Sequence, residues 1–201
     1  MKNNTIIQTI YKKLEEKEWS ILKTFILSED FDSIIDKLII EVNDENRFTP
    51  PFKTMFNSFL QCPYDKLKVV ILGEFPFRNH VVCDGLAYSH VEKSKINYAE
   101  NKHMVKLFSN TSCSLENLAN KGILFLNNPL TTRLENDSET HKKIWFPFIM
   151  FLLDMLRNNY LWILVGHNQN YKKLIKSDDI ILLDKIEDLS ETDVIKINKL
   201  I

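Results

Sequence analysis

The sequence predicts an α/β fold with a central four-stranded parallel sheet and helices on both faces. Four short apolar runs have the length and composition of buried strands, and segments with helical periodicity lie between them. Strands that alternate with helices in this way form doubly wound parallel sheets. The expected strands are residues 68–72, 122–126, 161–165 and 180–183.

Helices are predicted from apolar residues that recur every three to four positions, beginning near the N-terminus at residues 6–14. A loop is predicted over residues 46–51. The pair Pro50-Pro51 at its end is suited to start a helix, because proline is tolerated in the first helical turn. The other expected helices cover residues 31–42, 52–60, 142–156 and 168–176.

Composition indicates one domain over residues 1–201. Hydrophobic residues make up 44% of the 201 residues and charged residues 26%, as in ordinary globular proteins. Only 4 glycines and 6 prolines leave little chain for flexible linkers. The length is sufficient for a substantial core, and we expect a monomer.

The charge balance argues against strong binding to nucleic acid. Lys and Arg number 26 against 27 Asp and Glu, a formal net charge of −1. Proteins that grip phosphate backbones usually carry a basic surplus, so any affinity for DNA should be weak and should depend on local patches. Lys172, Lys173 and Lys176 form a basic helix face, which we interpret as solvated.

The cysteines and the apolar stretches indicate a cytoplasmic chain. Cys62, Cys83 and Cys113 are odd in number and form no metal-type pair, so a reduced, intracellular protein is the simplest interpretation. The N-terminus lacks the pattern of a signal peptide. The most apolar stretch, residues 145–156, is short and is interrupted by Asp154, so no membrane span is expected.

The histidines do not indicate a metal site. They lack the i, i+4 pairing and the neighbouring carboxylates of a ligand set, so the sequence predicts no metal and no cofactor. They are His80, His90, His103, His141 and His167.

Candidate site residues follow the predicted strands, because doubly wound sheets bind ligands beyond the carboxyl ends of their strands. The segments at those ends are Gly73-Glu74-Phe75, Asn127-Asn128, Gly166-His167 and Asp184-Lys185.

An ordered set of motifs runs through this region. Residues 69–78 read VVILGEFPFR, residues 85–89 read GLAYS, and residues 118–127 read LANKGILFLN. In the same order, they resemble the VVILGQDPYH, GLaFS and WAxQGVLLLN segments of family-one uracil-DNA glycosylases. The resemblance extends over about residues 19–176. Its further matches are Pro50-Pro51, Phe56, Pro63-Tyr64-Asp65, Leu130-Thr131, His141 and Trp145.

The resemblance implies that a base is flipped out of DNA into a tight pocket. Gly73 and Phe75 belong to the implied base-binding residues, and Gly73 and Pro76 keep the turn that aims side chains into this pocket. Asn127 matches the amide that reads uracil, since an amide offers both the donor and the acceptor that the base edge requires; a strand-end cap is the alternative. Tyr88 matches the phenylalanine that stacks on the base, and Phe77 matches the tyrosine that excludes the methyl group of thymine. For both aromatic residues, simple core packing is the alternative.

Two neighbouring positions depart from the family pattern. Phe75 stands at the position of the aspartate that positions water, and a phenyl ring cannot balance positive charge on the sugar. Glu74 replaces a glutamine. It is either a displaced catalytic carboxylate or a side chain that turns outward.

The C-terminal part departs further. Residues 185–190 align best with the HPSPLS loop, so that Leu189 and Ser190 would form the DNA wedge. In that family, the loop carries an imidazole that stabilises charge on the leaving uracil, and Lys185 replaces it here. His167 either substitutes for this imidazole or is an ordinary loop histidine. Glu187 and Asp188 would repel a phosphate backbone. The PPSL phosphate loop is also absent, with residues 96–101 in that region.

Two functions follow from these observations. The first is a uracil-DNA glycosylase-like protein of base excision repair that hydrolyses the N-glycosidic bond of a flipped uracil with altered or weakened catalysis. The second is an inactive pseudo-glycosylase that keeps the fold to bind DNA or a protein partner. An α/β domain with accidental similarity is a third alternative.

Overall fold

Parallel strands form the centre of the computed structural model, which describes residues 4–79, 82–89, 99–108, 114–135 and 139–201. The strands in these segments are β1 (Phe48–Thr49), β2 (Val69–Gly73), β3 (Ile123–Asn127), β4 (Thr132–Arg133), β5 (Leu161–Val165) and β6 (Ile180–Leu183). The helices are α1 (Asn4–Glu15), α2 (Lys23–Ile26), α3 (Glu29–Asn43), α4 (Asn57–Gln61), α5 (Ala99–Leu107), α6 (Leu115–Asn120), α7 (Glu139–Leu156) and α8 (Glu191–Asn198).

The main sheet has four parallel strands in the order β3-β2-β5-β6. Every residue of β2, β3 and β5 is buried. Because successive side chains of a strand point to opposite faces, both faces of the sheet are covered. The predicted α/β fold and its four-stranded parallel sheet are therefore confirmed, although β2 and β3 extend one residue beyond the expected ends, to Gly73 and Asn127.

The direction in which the chain winds changes between β2 and β5. The chain passes from β2 to β3 on one side of the sheet, whereas β5 lies on the other side of β2 and leads to β6. The connections after β2 and β5 therefore diverge, which creates a crevice beyond the carboxyl ends of these two strands. The loops that begin at Glu74 and Gly166 meet in this crevice.

One hydrophobic cluster extends from Ile7 in α1 to Ile197 in α8. Its aromatic centre is Phe148 of α7, which packs against the rings of Phe25, Phe31, Phe56, Phe59 and Trp145. None of the helices in the described segments is long and apolar enough to cross a membrane.

Three segments of the structure differ from the prediction, and local hydrogen bonds account for the differences. Residues 52–56 form turns before α4 because backbone bonds there span three residues, as from the Asn57 amide to Thr54. The expected helix over 168–176 is the 3₁₀ helix Gly166–Leu174, where the Asn168 side chain occupies a carbonyl that an α-helix would use. The expected loop at residues 46–51 contains β1, which pairs antiparallel with β4.

The side chain of Asn168 holds the ends of the central strands together. It is fully buried, and its Nδ2 donates to the carbonyls of Leu72, Gly73 and Val165 at 3.2, 3.0 and 3.0 Å. Its Oδ1 accepts a hydrogen bond of 2.7 Å from Asn128 Nδ2. The backbone amide of Asn128 in turn donates to the Gly73 carbonyl. The four residues around Asn168 come from β2, β5 and the residue after β3, so this one amide fixes the floor of the crevice.

A buried charge network joins the small sheet to the helices. The Arg133 guanidinium donates to both carboxylate oxygens of Glu41 in α3, at 2.5 and 2.7 Å. This contact lowers the pKa of Glu41 below its ordinary value of 4.5, although burial of the carboxylate opposes the shift. Beside it, the Thr131 hydroxyl lies 2.7 Å from His141 Nδ1 and accepts from Trp145 Nε1 at 2.6 Å.

The substitution Asn168→Ala should lower the free energy of unfolding by about 2 to 3 kcal/mol, because it leaves buried carbonyls and the Asn128 amide without a partner. Urea denaturation measures this change. The matched control is Asn170→Ala on the same 3₁₀ helix, where the side chain is exposed and the expected change is within about 0.5 kcal/mol. Equal stability of the two variants would contradict the structural role of Asn168.

The substitution Arg133→Met should cost about 2 to 3 kcal/mol at pH 7, because Glu41 would stay buried without its charged partner. The pKa of Glu41 is depressed in the folded state, so the pair stabilises the fold above pH 4.5 and its contribution is lost as pH falls through the depressed value. The stability difference from wild type, measured in urea across pH, should therefore shrink below pH 4.5. A difference that stays constant down to pH 3 would contradict this explanation. Lys196→Met, which breaks an exposed pair with Asp179, serves as the control with little expected change.

Candidate active site

The candidate site lies where the loops after β2, β3 and β5 meet. Gly73 is paired in register with Asn127, so the ends of β2 and β3 are side by side. Across β2, the backbone at Gly166 touches the Glu74 side chain. The structure therefore brings together Gly73, Glu74 and Asn127, which the sequence predicted as site residues.

Asn127 presents a polar group that no other described residue satisfies. Asn127 is only 3% exposed, and its Nδ2 makes no hydrogen bond within the described structure. A buried donor without a partner costs about 1 to 3 kcal/mol. Such an atom at the end of a central strand is suited to bind a ligand that carries a hydrogen-bond acceptor.

Tyr88 covers Gly73 and needs the absence of a side chain there. A Cβ on Gly73 would lie 2.9 Å from both Cζ and the hydroxyl oxygen of Tyr88. Tyr88 adopts a left-handed backbone with φ of 63°, which is unusual for a bulky residue and often marks a functional position. The predicted stacking residue is thus beside the site, with its phenol packed directly on the β2 backbone.

The hydroxyl group of Tyr88 is a second orphan polar atom of the site. It is buried and makes no well-formed hydrogen bond in the described structure. Burial, followed by the negative charge of Glu74, raises the pKa of this phenol far above its ordinary value of 10.0. The nearby backbone amide of Glu74 offsets only part of this rise. The group is therefore a neutral hydroxyl at physiological pH.

Phe75 occupies the position of the family aspartate, and its ring contacts the imidazole of His167 and the ammonium group of Lys142. Its ring centroid lies 5.7 Å from that of His167, with an angle of 34° between the planes. On the same ring, Lys142 Nζ of α7 stands 4.8 Å from the centroid. The position therefore holds a hydrocarbon with a cation above it, which is the opposite of the negative charge that an aspartate would place there. Phe77 is half-buried farther along the loop.

Glu74 is held at the mouth of the crevice by a histidine. Its Oε1 lies 3.0 Å from His167 Nδ1, and the side chains of the two residues are 44% and 28% exposed. The Glu74 carboxylate lies across Gly166, where a Cβ would come within 2.3 Å of Oε1. Glu74 is therefore directed toward β5, and its side chain is also partly exposed to solvent.

Leu189 does not project from the surface as a wedge would. It is only 2% exposed, because the turn Ile186–Asp188 packs against α5 and turns Ile186 and Leu189 into the core. Its carbonyl oxygen lies 3.2 Å from His103 Nε2. The wedge prediction for Leu189 therefore has no support in this conformation.

Ser190 has a structural task at the same place. It is the N-cap of α8, where its hydroxyl accepts from the Asp193 amide and donates to the Asp193 carboxylate. Lys185, at the position of the family imidazole, is exposed.

Sequence reasoning missed several residues that shape the site. Asn168 and Gly166 build the β2–β5 crevice, and Lys142 reaches Phe75 from α7. The position of Asn168, three residues beyond the end of a predicted strand, was the available signal. The expected residues His80, His90, Cys113 and 96–98 lie outside the described segments. Within those segments, no group of three or more His, Cys, Asp or Glu residues gathers as a metal ligand set would.

Sequence relatives cover most of the chain. No protein-family model matches it. It is 29% identical over 163 residues to a uracil-DNA glycosylase of Acinetobacter baumannii (strain SDF), across 77% of this chain and 69% of the relative. A uracil-DNA glycosylase 2 of Bacteroides fragilis (strain YCH46) is 28% identical, across 75% and 73%. A uracil-DNA glycosylase 1 of Listeria innocua is 32% identical over 131 residues, across 62% and 58%.

Solved structures share the fold. A mimivirus uracil-DNA glycosylase superposes with a TM-score of 0.68 at 18% identity, covering 84% of this chain and 66% of the mimivirus chain. A variant of the mimivirus protein, solved in complex with UGI, gives the same TM-score. The wild-type UNG of Nitratifractor salsuginis superposes with a TM-score of 0.54 at 15% identity, covering 92% of each chain.

The structural likeness supports the fold. The sequence relatives are all uracil-DNA glycosylases by name, and the chain covers more than half of the length of each. Together with the ordered motifs around Gly73 and Asn127, they show that the chain is similar in sequence and in fold to uracil-DNA glycosylases.

Proposed function

We propose that this protein acts in base excision repair and hydrolyses the N-glycosidic bond of a flipped uracil in DNA, with catalysis weakened by the loss of the family aspartate. The observation that carries the proposal is Asn127. Its buried Nδ2 has no partner among the described residues and lies at the strand end next to Gly73. An unsatisfied amide donor at this position fits recognition of a pyrimidine carbonyl.

Base recognition follows from the chemistry of the Asn127 amide. Its Nδ2 can donate to uracil O4, and its Oδ1 can accept from uracil N3–H. Cytosine presents the reverse pattern on this edge, so it would leave both groups unpaired. Tyr88 supplies an aromatic face beside the same strand end, and Phe77 supplies bulk in the loop after β2. The base must displace or slide beside the phenol that now covers Gly73.

The reaction needs a negative charge near the sugar. The C1′–N1 bond breaks with its electron pair left on N1, and a water oxygen bonds to C1′ while one of its protons passes to a carboxylate. The uracil anion then takes a proton from solvent, which leaves an abasic site and free uracil. Phe75 cannot supply the carboxylate, so we assign it to Glu74, one residue earlier on the same loop.

Weakened catalysis follows from the charges around Phe75. Preorganised charges at the reacting centre usually provide the largest part of an enzyme's rate enhancement. Lys142 places a cation near the position of the missing aspartate, and it opposes positive charge on the sugar. Glu74 is 44% exposed, so its charge is partly screened by water.

The second candidate is a pseudo-glycosylase that binds DNA or a protein partner without excising a base. The observations that favour it are the Tyr88 phenol packed on Gly73 and the burial of Leu189. DNA is the partner that we propose for both candidates. Because the net charge is −1, its binding should be weak and should decrease as salt rises.

Excision of uracil decides between the two candidates. Single-stranded and duplex oligonucleotides with one uracil are incubated with excess protein, and alkali-labile abasic sites are counted over time. We expect slow excision above a control without protein. Glu74→Gln should reduce the single-turnover rate by on the order of 100-fold, because the neutral amide cannot take the proton from water or balance the positive charge on the sugar. The control Glu16→Gln removes an exposed carboxylate outside the site and should not change the rate. Absence of excision by the wild-type protein would contradict the proposal and favour the pseudo-glycosylase.

A further inference from the structure

We propose that His167 is the positioning residue of Glu74, so that a carboxylate–imidazole pair contributed by two loops replaces the single aspartate of the family. The inference rests on the proposed function, because it concerns the same reaction. It assigns roles to His167 and Gly166, which come from the loop after β5 and not from the loop after β2 that carries the motif.

The hydrogen bond between the two side chains defines the chemical state of the histidine. His167 Nδ1 lies 3.0 Å from Glu74 Oε1, and the His167 backbone amide faces the same oxygen at 3.5 Å. An ionised carboxylate only accepts hydrogen bonds, so Nδ1 carries the proton. Within the described structure, both contacts engage Oε1, which leaves Oε2 as the acceptor for a water molecule.

Gly166 allows the carboxylate to reach this position. Its φ is +60°, and a Cβ there would lie 2.3 Å from Oε1 and 2.4 Å from the carboxylate carbon of Glu74. Any side chain at this residue would therefore push the carboxylate away. The Glu74 carboxylate is fixed by contact with backbone on one side and by the imidazole on the other, although the residue is partly exposed.

The substitution at position 75 is consistent with this pair. The Phe75 ring flanks the His167 imidazole at 5.7 Å, and Lys142 Nζ lies over the same ring at 4.8 Å. A flat apolar ring supports the imidazole without competing for its Nδ1 proton. An aspartate at position 75 would be a second acceptor for that proton. The hydrocarbon at position 75 thereby favours a single partner for His167.

In the reaction, the proton stays on Nδ1 of His167, which donates a hydrogen bond to Glu74 Oε1 throughout. The proton of the attacking water passes to Glu74 Oε2 as the water oxygen bonds to C1′. The electron pair of the broken C1′–N1 bond stays on the base, which takes its proton from solvent. His167 acts only through Glu74, since it holds the carboxylate in the orientation that this step requires.

The pair contributes little to the stability of the fold. Both side chains are substantially exposed, and ion pairs in such surroundings are weak. A loss of activity in a His167 variant that melts like the wild-type protein therefore reports on positioning and not on unfolding.

The test compares single-turnover excision rates and DNA dissociation constants of four variants on a uracil-containing duplex. His167→Ala should reduce the maximal rate by roughly 10- to 100-fold, with little change in the dissociation constant. His167→Asn should recover most of the rate, because its amide can donate from nearly the same place as Nδ1. Gly166→Ala should lose as much rate as Glu74→Gln, since its Cβ displaces the carboxylate. Asn170→Ala, exposed on the same 3₁₀ helix, is the control and should behave as wild type.

A double variant separates positioning from an independent effect. In a Glu74→Gln background, His167→Ala should cause no further loss, because the two residues act as one unit. Additive losses would overturn the inference. An unchanged maximal rate in His167→Ala would also overturn it, while leaving the proposed function intact if Glu74→Gln is impaired. A wild-type protein without excision would overturn the proposed function together with this inference.

Discussion

The side-chain amide of Asn168 is the constraint on which the site depends. Parallel strands end without a turn that joins neighbours, so their carboxyl ends need side chains to hold them in place. Asn168 does this for β2 and β5 through three carbonyls, and for β3 through Asn128. The crevice between β2 and β5 is thereby rigid at its floor. The loops that begin at Glu74 and Gly166 depart from this floor, so their side chains meet reproducibly.

Above Asn168, the distribution of charge differs from that of the uracil-DNA glycosylase family that the chain resembles. Asn127, for which we propose the role of reading the base, keeps an amide donor without a partner among the described residues. The acid one residue beyond Glu74 is replaced by Phe75, over which a lysine places a positive charge. A carboxylate is still present, but it belongs to Glu74 and is held by His167. In the proposed reaction, recognition of the base depends on one strand end, whereas catalysis depends on the contact between two loops.

The sequence was sufficient for the sheet and for the position of Gly73 and Asn127 at one edge of it. Apolar runs predicted the four strands because these strands are buried on both faces. Motif order predicted Asn127 and Gly73. The contact between Glu74 and His167 was not predictable, because the residues are 93 positions apart and meet only through the adjacency of β2 and β5. Leu189 was assigned to a wedge from motif alignment alone, and alignment does not report that the side chain packs inward.

We propose that the negative charge of the site has moved from position 75 to position 74. The most direct measurement is the single-turnover excision rate of the double variant Glu74→Gln/Phe75→Asp, which returns both positions to the family pattern. We expect this variant to recover at least the wild-type rate, whereas Glu74→Gln/Phe75→Asn, with the same shape and no charge, should stay impaired. A double variant as slow as Glu74→Gln alone would contradict the claim, because it would mean that a restored carboxylate cannot serve this pocket.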